Sequence, residues 1–203
     1  MTLSPAQAEA LLAAHEVPGE AWGDHCRQVA KVARRLGEGL MARGLCDTEE
    51  LALLEVQALL HDIGRSRTHG PLHGWSGFTL LRAQGAEVEA RGCLSHWLKG
   101  RALEEIQVSR LWTRDFARRA WLSLHPPPWT LLDSALSVAD SSVQHTTIVP
   151  MAERHQDLHE RYGRSPWLER AAELAERQAE DLGAALGCPV QGWLEPLFGD
   201  RLS

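Results

Sequence analysis

At 203 residues the chain is long enough to bury a core without disulfide support, and 44% apolar with 24% charged residues is an ordinary globular composition. A net charge of −6 argues against the basic footprint of broad nucleic-acid binding. No apolar run approaches the roughly 20 residues of a membrane helix, and MTLSPAQAEA lacks the basic and apolar regions of a signal peptide, so a cytoplasmic protein is expected.

Helical patterning runs through almost the whole chain. Ser4-Pro5-Ala6-Gln7 offers an N-cap, a proline at the first helical position and a capping-box partner, predicting a helix to about His15. Pro18-Gly19 breaks it. Asp24 is read as the cap of a second helix, whose stripe is His25, Val29, Val32, Leu36 and Leu40, and Gly44 ends it. Asp47 or Thr48 caps a third, with Leu51, Leu54, Ala58 and His61 on one face and Gly64 as its C-terminal stop. A loop over 65–70 leads to Pro71 and a helix that aligns His73, Gly77, Leu80 and Leu81, ended by Gly85. The next helix spans about 87–98 and carries His96 near its end.

Another helix is expected over 113–124, bounded by Pro126-Pro127-Pro128, and another from Thr130 to Val143. In the latter, Asp140 follows Leu136 by four and borders the apolar face. Pro150 starts a short helix, and Ser165-Pro166 caps a long charged one to about Leu186, followed by Gly187. Strand-like alternation is absent, so the predicted class is all-α. A single domain over 1–203 is expected, with its core over 20–145 and C-terminal helices over 150–203. Cys26, Cys46, Cys93 and Cys188 form no Cys-x-x-Cys pair, so they read as reduced thiols and not as a thiolate zinc site.

The chemistry concentrates at His61-Asp62, at the inner end of an apolar stripe. Burying an imidazole beside a carboxylate is costly without compensation, and a divalent metal compensates both. Adjacent helical residues point about 100° apart, yet at a helix end both could reach one ion in a cleft between helices. His25 lies upstream on an apolar face, Asp140 downstream on another, and His73 and His96 between them. His25, His61, Asp62 and Asp140 are the proposed core ligands.

The order His, His-Asp, His, His, Asp, with His61-Asp62-Ile63-Gly64 after an apolar helix, resembles the HD-domain superfamily of metal-dependent phosphohydrolases in its HDIG subtype. The resemblance runs from about Trp22 to Val143, with a weaker echo at Glu160 to Gly163. It implies an HD-domain helical bundle with a C-terminal helical extension. It also implies one or two divalent ions (Mn, Fe, Co, Ni, Zn or Mg), with Asp62 as the bridge and His73 and His96 on the second ion. The implied reaction is cleavage of a phosphoester or phosphoanhydride of a small molecule, most simply a nucleotide, by metal-activated hydroxide.

Asp62, Arg65 and His69 are the expected catalytic residues. Arg65 and Arg67, just after the motif, are read as phosphate ligands, because guanidinium grips phosphate with two parallel hydrogen bonds. His69 is read as the acid for the leaving oxygen or as a group that orders water. Two alternatives stay open: a di-iron oxygenase, since some HD-fold proteins use the same six-ligand pattern, and a non-catalytic nucleotide-sensing module. Arg65-Ser66-Arg67 favours phosphate chemistry, and intact ligand positions argue against a degenerate site. His15, His125, His145, His155 and His159 read as surface or packing residues, and Trp22, Trp75 and Trp97 as core. Oligomeric state has no signature in the sequence.

Overall fold

The computed structural model describes residues 2–125 and 127–202. Pro126, part of the expected proline boundary, lies outside the described residues. The chain is all-α, and several of its helices begin where a side chain satisfies their free N–H groups. In α1 (Pro5–His15) the Ser4 hydroxyl accepts from Gln7 N, and the Gln7 side chain reaches back to the cap. Asp47 and Glu50 make the same reciprocal pair before α3 (Thr48–Leu60).

The helix between them, α2 (Trp22–Ala42), has no side-chain cap. Asp24 lies inside its first turn and pairs with Arg27 at 3.0 Å, so it is not the cap that its position suggested. The apolar stripe of α2 packs along α3.

A short 3-10 helix, Ile63–Ser66, follows α3 and packs against α4 (His73–Ala83). Gly64 sits within this 3-10 turn and has no positive φ, so it is not a left-handed helix stop. It is a close-approach residue: a Cβ there would collide with the carbonyl oxygen of His73 and the backbone nitrogen of Gly77. Next comes α5 (Arg91–Leu98), which starts later than expected because 87–90 form turns. The sequence reading missed α6 (Leu103–Val108), which precedes α7 (Arg114–Leu124).

Thr130 and Asp133 cap α8 (Leu131–Asp140). Buried Asp133 also receives both Nε and Nη2 of Arg91, at 2.9 and 2.7 Å. This bidentate pair ties the helix carrying His96 to the helix carrying Asp140. Beyond α8 the chain forms a small antiparallel hairpin, β1 (Val143–Gln144) and β2 (Thr147–Ile148), where a longer helix was expected. Two-residue strands are too short to show alternation in a sequence.

The C-terminal part holds α9 (Met151–Tyr162), α10 (Pro166–Leu186) and α11 (Val190–Leu194). The last of these also went unread. A single cluster of buried side chains runs from Ala8 and Leu12 in α1 to Val190 and Leu194 in α11, and α10 packs on α8. Residues after α11 return to the hairpin: Ile148 N donates to Asp200 O (2.9 Å), and Gln28 on α2 donates to the carbonyls of Thr146 and Asp200 (3.0 Å each). Among the described residues no helix is long and apolar enough to cross a membrane.

Candidate metal centre

Four helices deliver the cluster. His25 comes from the first turn of α2, His73 from the start of α4, His96 from near the end of α5 and Asp140 from the last position of α8. His61 is the C-cap of α3. Asp62 lies just outside the helix with φ −104° and ψ 11°, so it escapes the 100° separation of helical neighbours and turns into the same space. The 3-10 turn that holds it there depends on the Gly64–Gly77 approach.

The ring orientations are fixed by backbone carbonyls. His25 Nδ1 donates to His145 O (2.9 Å), His61 Nδ1 to Ala58 O (2.7 Å), His73 Nδ1 to Gly70 O (3.1 Å) and His96 Nδ1 to Gly92 O (3.1 Å). A carbonyl can only accept, so each Nδ1 carries a proton, and in the neutral ring Nε2 then presents a lone pair.

Those lone pairs converge. His25 Nε2 lies 3.3 Å from Asp140 Oδ1, and His61 Nε2 lies 3.8 Å from the same oxygen and 3.9 Å from Asp62 Oδ2. His73 and His96 present Nε2 to Asp62 Oδ1 at 3.5 and 3.4 Å, and to each other at 3.3 Å. Lone pairs facing lone pairs at these distances repel unless a cation lies between them.

Seven buried side-chain atoms lack a hydrogen-bond partner among the described residues, and the two that belong to this cluster, His61 Nε2 and Asp62 Oδ1, both point to a cation. Two groups, His25–His61–Asp140 and His61–Asp62–His96, each offer ligand atoms within 4.8 Å of one another and could hold a metal ion. Imidazole with carboxylate suits Zn, Fe, Mn, Ni or Co. The structure thus brings together all six residues expected as ligands.

The electrostatics keep this donor set ready for a metal. Burial pushes His61 down to about 3 and His73 down to about 4, so both rings are neutral at physiological pH. Burial opposes ionisation of Asp62 and Asp140, but Arg65 above all outweighs it at Asp62, and Lys99 at Asp140. Both carboxyls lie well below the usual carboxylate range. Arg65 Nε donates to Asp62 Oδ2, while its terminal nitrogens make no hydrogen bond among the described residues. Its first partner is therefore a candidate ligand and not solvent.

The other expected residues spread out. His69 is exposed at the rim, 3.2 Å from Glu20 Oε1. Arg67 is exposed and is not among the residues lining the cleft. A 3-10 helix turns about 120° per residue, so Arg65 and Arg67 leave it on different faces. The cleft itself is about 800 Å³.

Lys99 was not singled out from the sequence. It sits in the left-handed region at φ 52° as the C-cap of α5, and its Nζ reaches Asp140 Oδ2 at 3.2 Å and Ser141 Oγ at 3.1 Å. Arg154 and Arg161 of α9, which also line the cleft, were missed too. No local pattern marks these three; only the fold brings them near the cluster.

The family model of the HD domain matches residues 22–182. An uncharacterized protein of Methanocaldococcus jannaschii is 40% identical over 62 residues, which make up 30% of this chain and 36% of that protein. The chain therefore covers only about a third of that relative's length. No solved structure matches the chain.

Proposed function

The chain belongs to the HD-domain family, a metal-dependent phosphohydrolase superfamily, and from that premise we propose that it cleaves a phosphoester or phosphoanhydride of a small molecule, most simply a nucleotide. One observation carries the reading: four histidine Nε2 atoms converge on the carboxylates of Asp62 and Asp140, beside a cleft lined by His25, Asp62 and His73. His25, His61, Asp62 and Asp140 would hold one divalent ion, and Asp62, His73 and His96 a second. Bound there, such ions supply Lewis acidity toward phosphoryl oxygens and lower the pKa of water toward about 7.

The chain's own groups do the rest. Arg65 orients Asp62 through Nε and keeps its terminal nitrogens for the equatorial phosphoryl oxygens. Lys99 holds Asp140 ionised and fixes one of its oxygens. His69 at the rim, beside Glu20, can pass a proton to a leaving oxygen. Arg65, Arg154 and Arg161 along one cleft favour phosphate over oxygen chemistry.

The test is metal analysis of the purified protein, followed by a screen with Mn or Co. Substrates would be nucleoside mono-, di- and triphosphates, dinucleoside polyphosphates and cyclic dinucleotides, with dissolved oxygen monitored. Phosphate release without oxygen uptake is expected. Oxygen uptake without phosphate release would point instead to a di-iron oxygenase, and neither signal to a sensing module.

A further inference from the structure

We propose that Arg154 and Arg161 form a second anion-binding subsite of the cleft, on the His25 side of the metal centre, and that its ligand is an organic compound carrying at least two phosphate groups. The proposal rests on the phosphohydrolase reading of the same cleft and names its substrate class more closely.

Position comes first. His145 bridges the two places: its carbonyl accepts from His25 Nδ1 at 2.9 Å, and its Nε2 lies 3.9 Å from Asp157 Oδ1. Asp157 in turn holds both arginines through its other oxygen, with Arg154 Nη1 at 3.0 Å and Arg161 Nη2 at 2.7 Å. Arg65, by contrast, is anchored at Asp62. The cationic groups therefore flank the cluster on two sides, and a chain of phosphates lying across the centre would meet both.

Charge comes second. Two guanidiniums share one carboxylate, and they share a single oxygen of it. Arg154 uses only Nη1, so its Nε and Nη2 make no hydrogen bond among the described residues. The plainer reading is a helix staple, since Arg154–Asp157 and Asp157–Arg161 are i,i+3 and i,i+4 pairs. Such pairs stabilise solvated helix faces only weakly. Here the side chains of Arg154 and Asp157 are only 14% and 12% exposed, and Arg154 lines a cleft. A surplus buried cation beside a metal centre is costly unless an anion joins it.

Shape comes third. Leu158, Tyr162 and Leu168 line the cleft together with the two arginines, and Trp22 of α2 belongs to the same lining. Tyr162 is 68% exposed, and the Arg161 guanidinium lies 5.1 Å from its ring centroid, so the ring stands at the mouth of this subsite. A volume of about 800 Å³ holds far more than one phosphate and suits an organic polyphosphate.

The experiment is calorimetric binding of methylenediphosphonate and of orthophosphate to the metal-loaded protein. The parent is compared with Arg161→Gln and with the double variant Arg154→Gln/Arg161→Gln, each checked for parental helical content. Arg161 is the more exposed of the two, so its single variant keeps the test intact if the double one folds poorly. The diphosphonate should bind the parent at least about tenfold tighter than orthophosphate. It should weaken about tenfold in the single variant and up to about a hundredfold in the double, while orthophosphate stays within about twofold.

Equal affinity of the two probes in the parent, or equal losses for both in the variants, would overturn the subsite. Neither probe needs to be cleaved. Discrimination without any phosphate release from nucleotides would leave the subsite standing and remove the hydrolase reading. Phosphate release without discrimination would do the reverse.

Discussion

Stripped of metal ions, the protein should lose stability steeply between about pH 6.5 and 4.5. Burial holds folded His61 down to about 3 and His73 down to about 4, whereas both titrate near about 6.5 in the unfolded chain. Their contribution is fully present above the unfolded value and is lost as the pH falls toward the folded ones, because only the unfolded chain takes up the two protons. Each proton contributes about 1.36 kcal/mol per pH unit, so this pair adds about 2.7 to the slope, and His155, which burial holds down to about 4, adds up to about 1.4 more. Over two pH units the pair alone removes about 5 kcal/mol, comparable with the whole stability of a domain at the low end of about 5–15 kcal/mol.

Below about pH 3.9 the loss continues with the same sign, because Asp62 and Asp140 are held well below their unfolded values and resist protonation in the folded state. The assay is urea unfolding followed by circular dichroism on chelator-treated protein, in steps from pH 7 to 4.5. His61→Leu should lower the slope by about a third. A flat profile over this window would mean that His61 and His73 accept protons while folded, and the picture of neutral rings offering Nε2 lone pairs would fail.

Three further outcomes follow from the geometry. His73→Ala should deplete a second metal while leaving one ion, read by elemental analysis after dialysis; equal metal content in parent and variant would remove His73 from the centre. Arg65→Ala should lower kcat/KM on a verified phosphorylated substrate by about tenfold to a hundredfold. It should also weaken metal binding by about tenfold to a hundredfold, because Asp62 loses its orienting partner; Arg65→Lys should recover part of both, and unchanged values for both would put this arginine outside the site. Gly64→Ala should cost about 2–3 kcal/mol and lower Tm by about 4–12 °C, since the colliding atoms of His73 and Gly77 are backbone and cannot swing aside. A parental Tm would contradict that packing.

What could be read in advance was local. Ser4 with Gln7 and Ser165 with Pro166 mark helix starts by chemistry confined to four residues, and the helices begin there. His25, His61 and Asp140 each end or border an apolar stripe, so their convergence followed from burying those stripes together. Asp24 misled because a good capping residue can also sit one turn in, paired with Arg27. Gly64 misled because a glycine after a helix can serve close approach instead of a left-handed turn.

Lys99, Arg154 and Arg161 were invisible for another reason. Lys99 reaches Asp140 across 41 positions, and the α9 arginines reach the cleft only because the hairpin over 143–148 turns α9 back toward α2. Arg67 shows the opposite error: proximity to Arg65 in the chain became separation in space once the 3-10 helix formed.

The most direct test of the account is divalent-metal titration of the metal-free parent and of Asp62→Ala, with metal content measured after dialysis. Asp62 is the one residue whose carboxylate meets both His73 and His96 through Oδ1 and lies near His61 through Oδ2. The account predicts tight uptake by the parent and loss of bound metal in Asp62→Ala, with parental helical content retained. Metal uptake by a folded Asp62→Ala with the parent's affinity and stoichiometry would contradict it.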